Sequence, residues 1–262
     1  MIKELSRFCE PLLITPEAAN AWVEALSQVS ARQAEVFGTK IELPGMRIEH
    51  GVAIVPIKGV VAVNVSPIEK LFGVVDMADI LEEIEAAEKN DQVSAIVFDI
   101  DSPGGTFNGT PELAAQIQNA LKPTFAFTSG MAASAAYFLM AASDNAIAAP
   151  SASVGSVGTY AVYKSIAAAL KAQGIDVTVI ASDPLKVAGN PLVEMTPEQF
   201  ELLKERIEAA TKVFHNFVTS RRGVSPEHMR GQVYFGNDAA AIGMIDAAAM
   251  NLGEVVAFAR QK

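Results

Sequence analysis

Apolar runs broken at regular intervals by turn residues organise most of this chain. VAIVPIKGVVAVN (Val52–Asn64) is rich in β-branched residues and interrupted at Gly59, which predicts two strands or one bent strand. DMADILEEIEAAEKND (Asp76–Asp91) places Ile80, Leu81, Ile84 and Ala87 on one helical face behind Asp76 as N-cap. VSAIVFDI (Val93–Ile100) is largely apolar, as a parallel strand buried on both faces would be. The pattern then predicts a loop DSPGGTFNG, a helix TPELAAQIQNAL, a strand PTFAFT, a helix over TSGMAASAAYFLMAASD and a strand NAIAAP. SASVGSVGTYAVY reads as a Gly/Ser turn and a strand, KSIAAALKAQG as a helix and IDVTVIAS as a strand. A long helix, Thr196–Gly223, is capped by Thr196-Pro197 and stopped by Gly223. Strand and helix alternate often enough to predict an α/β domain of mainly parallel strands over residues 51–262. Residues 1–50 read as a helical N-terminal arm, with Thr15 as N-cap and Pro16 at the first helical position, followed by a polar connector.

Composition narrows the function. Half of the 262 residues are hydrophobic and 19% are charged, which fits a globular chain with a sizeable core. The formal net charge of −10 argues against nucleic acid as a partner, since phosphate binding needs clustered Lys and Arg. One cysteine, Cys9, excludes an internal disulfide and suits a reducing, cytoplasmic setting. Three histidines, His50, His215 and His228, show no metal-ligand spacing. His215 reads as a surface or interface residue of the long helix, and the other two as turn residues. No apolar run approaches the roughly 20 residues that span a bilayer, and the N-terminus lacks the pattern of a signal peptide. No cofactor, metal or membrane anchor is expected.

Three segments hold candidate chemistry, in loops expected at the carboxyl ends of strands. In DSPGGT, Ser102-Pro103 enforces an extended turn, and Gly104 and Gly105 permit close backbone approach, so two exposed N–H groups there can receive an oxyanion. Ser134 stands among alanines; at a helix start its own N–H would be unpaired and the helix dipole would favour negative charge. Lys186, between Leu185 and Val187 in a Pro/Gly-rich loop, is oddly placed for a solvated charge, and burial would make it a usable base. Singly, each has an ordinary reading: a strand–helix turn, a filler serine, a snorkelling lysine. Jointly they fit a serine nucleophile with a lysine in place of histidine, aimed by Ser156 in the turn VGSVG.

DSPGG, SGMAASAAYFLMAASD, VGSVGTY and SDPLKVAGNP, in this order, resemble the signal peptide peptidase A family of serine proteases. LKVAGNP and EPLLITPEAA are similar to its phage branch, the capsid-assembly or head maturation proteases of the lambdoid minor capsid protein C type. The resemblance implies a ClpP/crotonase-like fold of stacked ββα units and an ATP-independent endopeptidase acting on capsid or scaffold proteins. It implies Ser134 as nucleophile, Lys186 as general base and Ser156 as the residue orienting that lysine. Gly104 and Gly105 match the oxyanion loop, with the N–H of Ser134 or of Ala135 as second donor. A homo-oligomeric ring, in which serine and lysine come from neighbouring protomers, is implied too. Ala135-Ala136 depart from the Gly-Gly that follows the serine in many members. Three other readings compete: a signal-peptide-peptidase-like protease without an anchor, an acyl-thioester enzyme of the crotonase type, and a non-catalytic capsid or scaffold component.

Overall fold

A computed structural model describes residues 10–28 and 45–262; Cys9 and the first part of the predicted connector lie outside them. A short strand, β1 (Leu12–Ile14), leads into helix α1 (Pro16–Gln28), where Thr15 Oγ1 accepts from Ala18 N–H. The hairpin β2 (Arg47–Glu49) and β3 (Val52–Lys58) turns at His50-Gly51, both with positive φ. Gly59 then breaks the apolar run, and β4 (Val61–Ala62) starts a second layer, as the two-strand reading expected. Helix α2 (Pro67–Leu71) carries a capping box between Ser66 and Glu69. After β5 (Val75–Asp76), helix α3 (Met77–Lys89) starts at the predicted cap: Asp76 Oδ1 accepts from Ala78 N–H. Met77, Ile80, Ile84 and Ala87 form its buried face.

Strand β6 (Ala95–Ser102) is central, flanked in parallel by β3 and by β8 (Thr124–Ala133). Between them in sequence lie β7 (Gly104–Thr106) and helix α4 (Thr110–Gln118). Helix α5 (Ala135–Ala142) follows β8 and is buried along its whole length, with Phe138 stacked on Phe214 and Phe217. Strands β9 (Asn145–Ala148) and β10 (Ser153–Gly155) both pair with β8, at its first and last residues respectively. Helix α6 (Ala167–Ala172) and the long α7 (Pro197–Arg222) come next. The latter has the predicted Thr196 cap, completed as a capping box by Gln199, and Gly223 at a left-handed φ. The chain closes with β11 (Val233–Phe235), α8 (Gly236–Ala241), β12 (Ala247–Ala248) and α9 (Leu252–Ala259).

Among the described residues the larger sheet runs β11-β10-β8-β6-β3-β2, with β9 joined to β8 and β12 to β9; the smaller runs β1-β7-β4-β5. The two layers meet where β6 gives way to β7. Three helix or strand readings do not hold. In SASVGSVGTYAVY the strand is Ser153–Gly155, ahead of the predicted place, and the segment after the turn has only an isolated bridge at Tyr160. The helix predicted over Thr128–Asp144 begins only at Ala135, because Met131–Ala133 continue β8 by pairing with β10. IDVTVIAS forms no strand, pairs with none of the strands among the described residues and leaves Ile180 94% exposed.

Candidate active site

Ser134 is the single residue between β8 and α5. Its φ of 57° and ψ of −117° are unusual for a residue with a Cβ. Fixed contacts on both sides hold it there. Its N–H donates to Gly155 O at 2.8 Å and its carbonyl accepts from Phe138 N–H at 2.9 Å. The expectation that the Ser134 N–H would be unpaired is therefore corrected; it cannot serve an oxyanion while β10 holds it. The free donors are one step along: Ala135 and Ala136 open the helix and have no acceptor four residues back. The Ser134 hydroxyl caps nothing, and the residue is 1% exposed.

Gly104 and Gly105 do lie beside the serine, but as a buried strand rather than an exposed loop. A Cβ on Gly104 would come 2.9 Å from Ser134 Cβ and 2.0 Å from Leu13 O; one on Gly105 would come 1.6 Å from Val61 O. Backbone thus packs against both glycines where side chains would otherwise stand, which is why the pair is Gly-Gly. The Gly104 N–H donates to Ser102 Oγ at 3.2 Å, so it too has a partner in this state. Ser102, which sequence reasoning treated only as part of a turn, is fully buried and accepts this bond.

Ser156 is coupled to Ser134 through one residue, since Gly155 accepts the Ser134 N–H. It also has a positive φ, 55°, and its N–H donates to Gln232 O at 2.7 Å. It lines a cavity of about 400 Å³ together with Ile14, Thr159, Tyr160, Thr211 and His215, among others. His215 Nε2 and the Tyr160 hydroxyl are buried without hydrogen-bond partners. Burial, with Glu17 adding to it, pushes the Tyr160 phenol up to about 12. His215, half-buried, thus lines the same cavity as Ser156. The signal was its place on α7 one turn after Thr211, on the face that meets Thr159.

Lys186 is not brought to the serines. It sits in a 3-10 turn, Pro184–Val187, pinned by Asp183 Oδ1 accepting from Leu185 N–H and by Gln199 Nε2 donating to Pro184 O. Its side chain is exposed and makes no hydrogen bond to Ser134 or Ser156, so the burial expected of it is absent in the single chain. The carboxylates that could have supported acyl-thioester chemistry are engaged elsewhere. Asp101 accepts from Met131 N–H, Asp144 from Thr124 N–H and hydroxyl, and Asp183 caps its own turn. Among the described residues no His/Cys/Asp/Glu group could hold a metal ion, and no helix is long and apolar enough to cross a membrane.

A sequence model described as "Peptidase family S49" matches residues 116–261, more than half of the chain. The chain belongs to peptidase family S49. Within it, the chain is similar to "Capsid assembly protease C" of Escherichia phage lambda, 27% identical over 76% of this chain and 47% of that protein. It is similar as well to "Head-tail preconnector protein GP5" of Enterobacteria phage P21, 27% identical over 91% of this chain and 53% of that protein. The chain thus spans about half the length of these curated relatives. Among solved structures, a point mutant of ClpP1 from Listeria monocytogenes superposes with a TM-score of 0.50 at 13% identity, covering 76% of this chain and 92% of that one. The S49 chain accordingly has the ClpP-like fold that its motifs implied.

Proposed function

We propose that this S49 chain is an ATP-independent serine endopeptidase that uses Ser134 as nucleophile, with capsid or scaffold proteins of a phage as substrates. The observation that carries the reading is the backbone of Ser134. A buried serine is held at positive φ, with helix-start amides on one side and a Gly-Gly strand pressed against the other. Backbone strain of this kind clusters at reaction centres. The relatives' names, which speak of capsid assembly and of a head-tail preconnector, support that setting for the substrate.

In this reading an uncharged Lys186 amine takes the Ser134 proton as Oγ attacks the peptide carbonyl. The tetrahedral oxyanion is met by the amides of Ala135 and Ala136, with the Gly104–Gly105 strand alongside. Lys186 then protonates the leaving amine, and water releases the acyl group from Ser134. A lysine acts as a base only when desolvated, and Lys186 is exposed in the single chain. Lys186 is therefore supplied by a neighbouring copy in a ring, entering beside Ser156.

Mixing two inactive proteins tests this. Ser134→Ala and Lys186→Ala should each fail to cleave a peptide library, while co-assembled protomers of the two regain cleavage at intact Ser134/Lys186 pairs. Full activity of Lys186→Ala alone would remove the lysine from the mechanism.

A further inference from the structure

β1 runs antiparallel to β7 in the register Leu12↔Thr106, Leu13↔Gly105 and Ile14↔Gly104. On its other side Leu12 exchanges two backbone hydrogen bonds with Tyr160, at 2.8 and 3.2 Å. Thr15 N–H donates to Pro103 O, and Phe107 N–H to Pro11 O. The segment is therefore an extended strand bonded on both edges, one edge being the Gly-Gly strand beside the nucleophile. Leu13 O and Ser134 Cβ would both touch a single methyl group placed on Gly104, at 2.0 and 2.9 Å. A peptide carbonyl thus already stands next to the serine, and Ser134 is buried beneath the strand that carries it.

Resting on the peptidase reading above, we infer that the slot between β7 and Tyr160 is the substrate track and that Pro11–Thr15 is its internal occupant, which must leave before a peptide enters. The occupant also describes the ligand: an extended peptide with aliphatic side chains, captured by strand addition antiparallel to β7. Leu12 and Ile14 pack into an apolar cluster with Ala62, Val74, Ala19 and Trp22, while Leu13 turns into the main core. The closing contact at the far end is an ion pair, Glu10 to Arg206 at 2.7 Å, with both side chains about half exposed. Such a pair is weak enough to open. While the segment is docked the site is closed, so the apparent affinity for substrate is lowered by the undocked fraction.

A reversible lock tests the inference. Leu12→Cys and Thr106→Cys, in a Cys9→Ser background, replace directly opposed residues, whose Cα separation of about 4.5–5.5 Å suits a disulfide. The oxidised protein should cleave an external aliphatic peptide at least about tenfold more slowly than the same sample after reduction. In an independent arm, Glu10→Lys should speed cleavage by repelling Arg206, and Arg206→Glu added to it should reverse the gain. Equal rates before and after reduction, or no gain from Glu10→Lys, would overturn the inference. If the wild type cleaves no peptide, the peptidase reading fails separately. The docked segment is then judged by hydrogen exchange: Gly104–Thr106 amides that exchange no faster in Glu10→Lys than in wild type also overturn it.

Discussion

Tyr137 offers the most direct check on how Ser134 is held. It lies in the first turn of α5, three residues after Ser134, and is fully buried. Its hydroxyl donates to Met244 O at 2.9 Å, tying that turn to the segment after α8. Tyr137→Phe keeps the ring and removes only this bond, leaving a buried carbonyl without that donor. The cost should be about 1–3 kcal/mol. At about 2–4 °C per kcal/mol for a chain of this size, the melting temperature at pH 7 should fall by about 2–12 °C. The pH dependence of the gap is fixed in sign. Burial, the largest cause, holds the Tyr137 phenol well above its ordinary value of 10.0, outweighing the opposing effect of Arg222. A group whose folded pKa is raised gives its full stabilisation below the unfolded pKa and loses it as pH climbs toward the folded value. Near pH 11 the unfolded phenol is ionised and the folded one is not, so wild type should lose about 1.4 kcal/mol that the Phe variant keeps. Paired thermal melts at pH 7 and 11 measure both quantities. A gap that is absent at pH 7, or that widens at pH 11, would refute the hydrogen bond as the tether.

The strain at Ser134 predicts that Ser134→Gly is more stable than Ser134→Ala by about 1–3 kcal/mol in urea denaturation, since glycine alone is at ease at φ 57° and ψ −117°; equal midpoints would remove strain from the account. Gly105→Ala, whose Cβ would meet Val61 O at 1.6 Å, should lose at least about 1–3 kcal/mol or fail to fold. Gly174→Ala, at a φ of +76° but with open space around it, should cost no more than about 1–2 kcal/mol; comparing the two by calorimetry separates steric from backbone effects. Thr196→Ala removes one half of the capping box of α7 and should lower stability by about 1 kcal/mol, seen as a shifted denaturation midpoint with an unchanged slope.

The fold was legible where local chemistry and tertiary packing agree. Asp76, Thr196 and Gly223 end their helices where side-chain caps and a left-handed φ demand it, and Val93–Ile100 is apolar because sheet and helices bury both its faces. It was illegible where a partner distant in sequence decides. Met131–Ala133 have helix-forming composition, yet β10 draws them into a strand, and that pairing sets the φ of Ser134. Leu12–Ile14 are too few to announce a strand, and their partners Gly104–Thr106 lie far along the chain. At the site, residue types pointed to Ser134, Lys186, Ser156, Gly104 and Gly105 together; the structure sets Gly104 against Ser134 and bonds Ser134 to Gly155, next to Ser156, while Lys186 is exposed. Which amides are free was hidden, because it depends on Gly155 and Ser102 taking up donors that composition alone leaves open.

The exposed state of Lys186 and the missing strand at IDVTVIAS have one physical explanation under the proposed ring. Both fall in the stretch between Ser156 and α7, where Ile175, Ile180 and the Lys186 side chain all stand in solvent. This β-branched run with alternating polarity has the composition of a strand but pairs with no strand among the described residues. Docking such a run on a neighbouring copy would bury the isoleucines and, within the same stretch, strip water from Lys186. The apolar burial offsets the cost of desolvating the amine, which a base at Ser134 requires. Assembly would then bring the base to a serine whose backbone the single chain already fixes, and the departure of Pro11–Thr15 would remain a separate step.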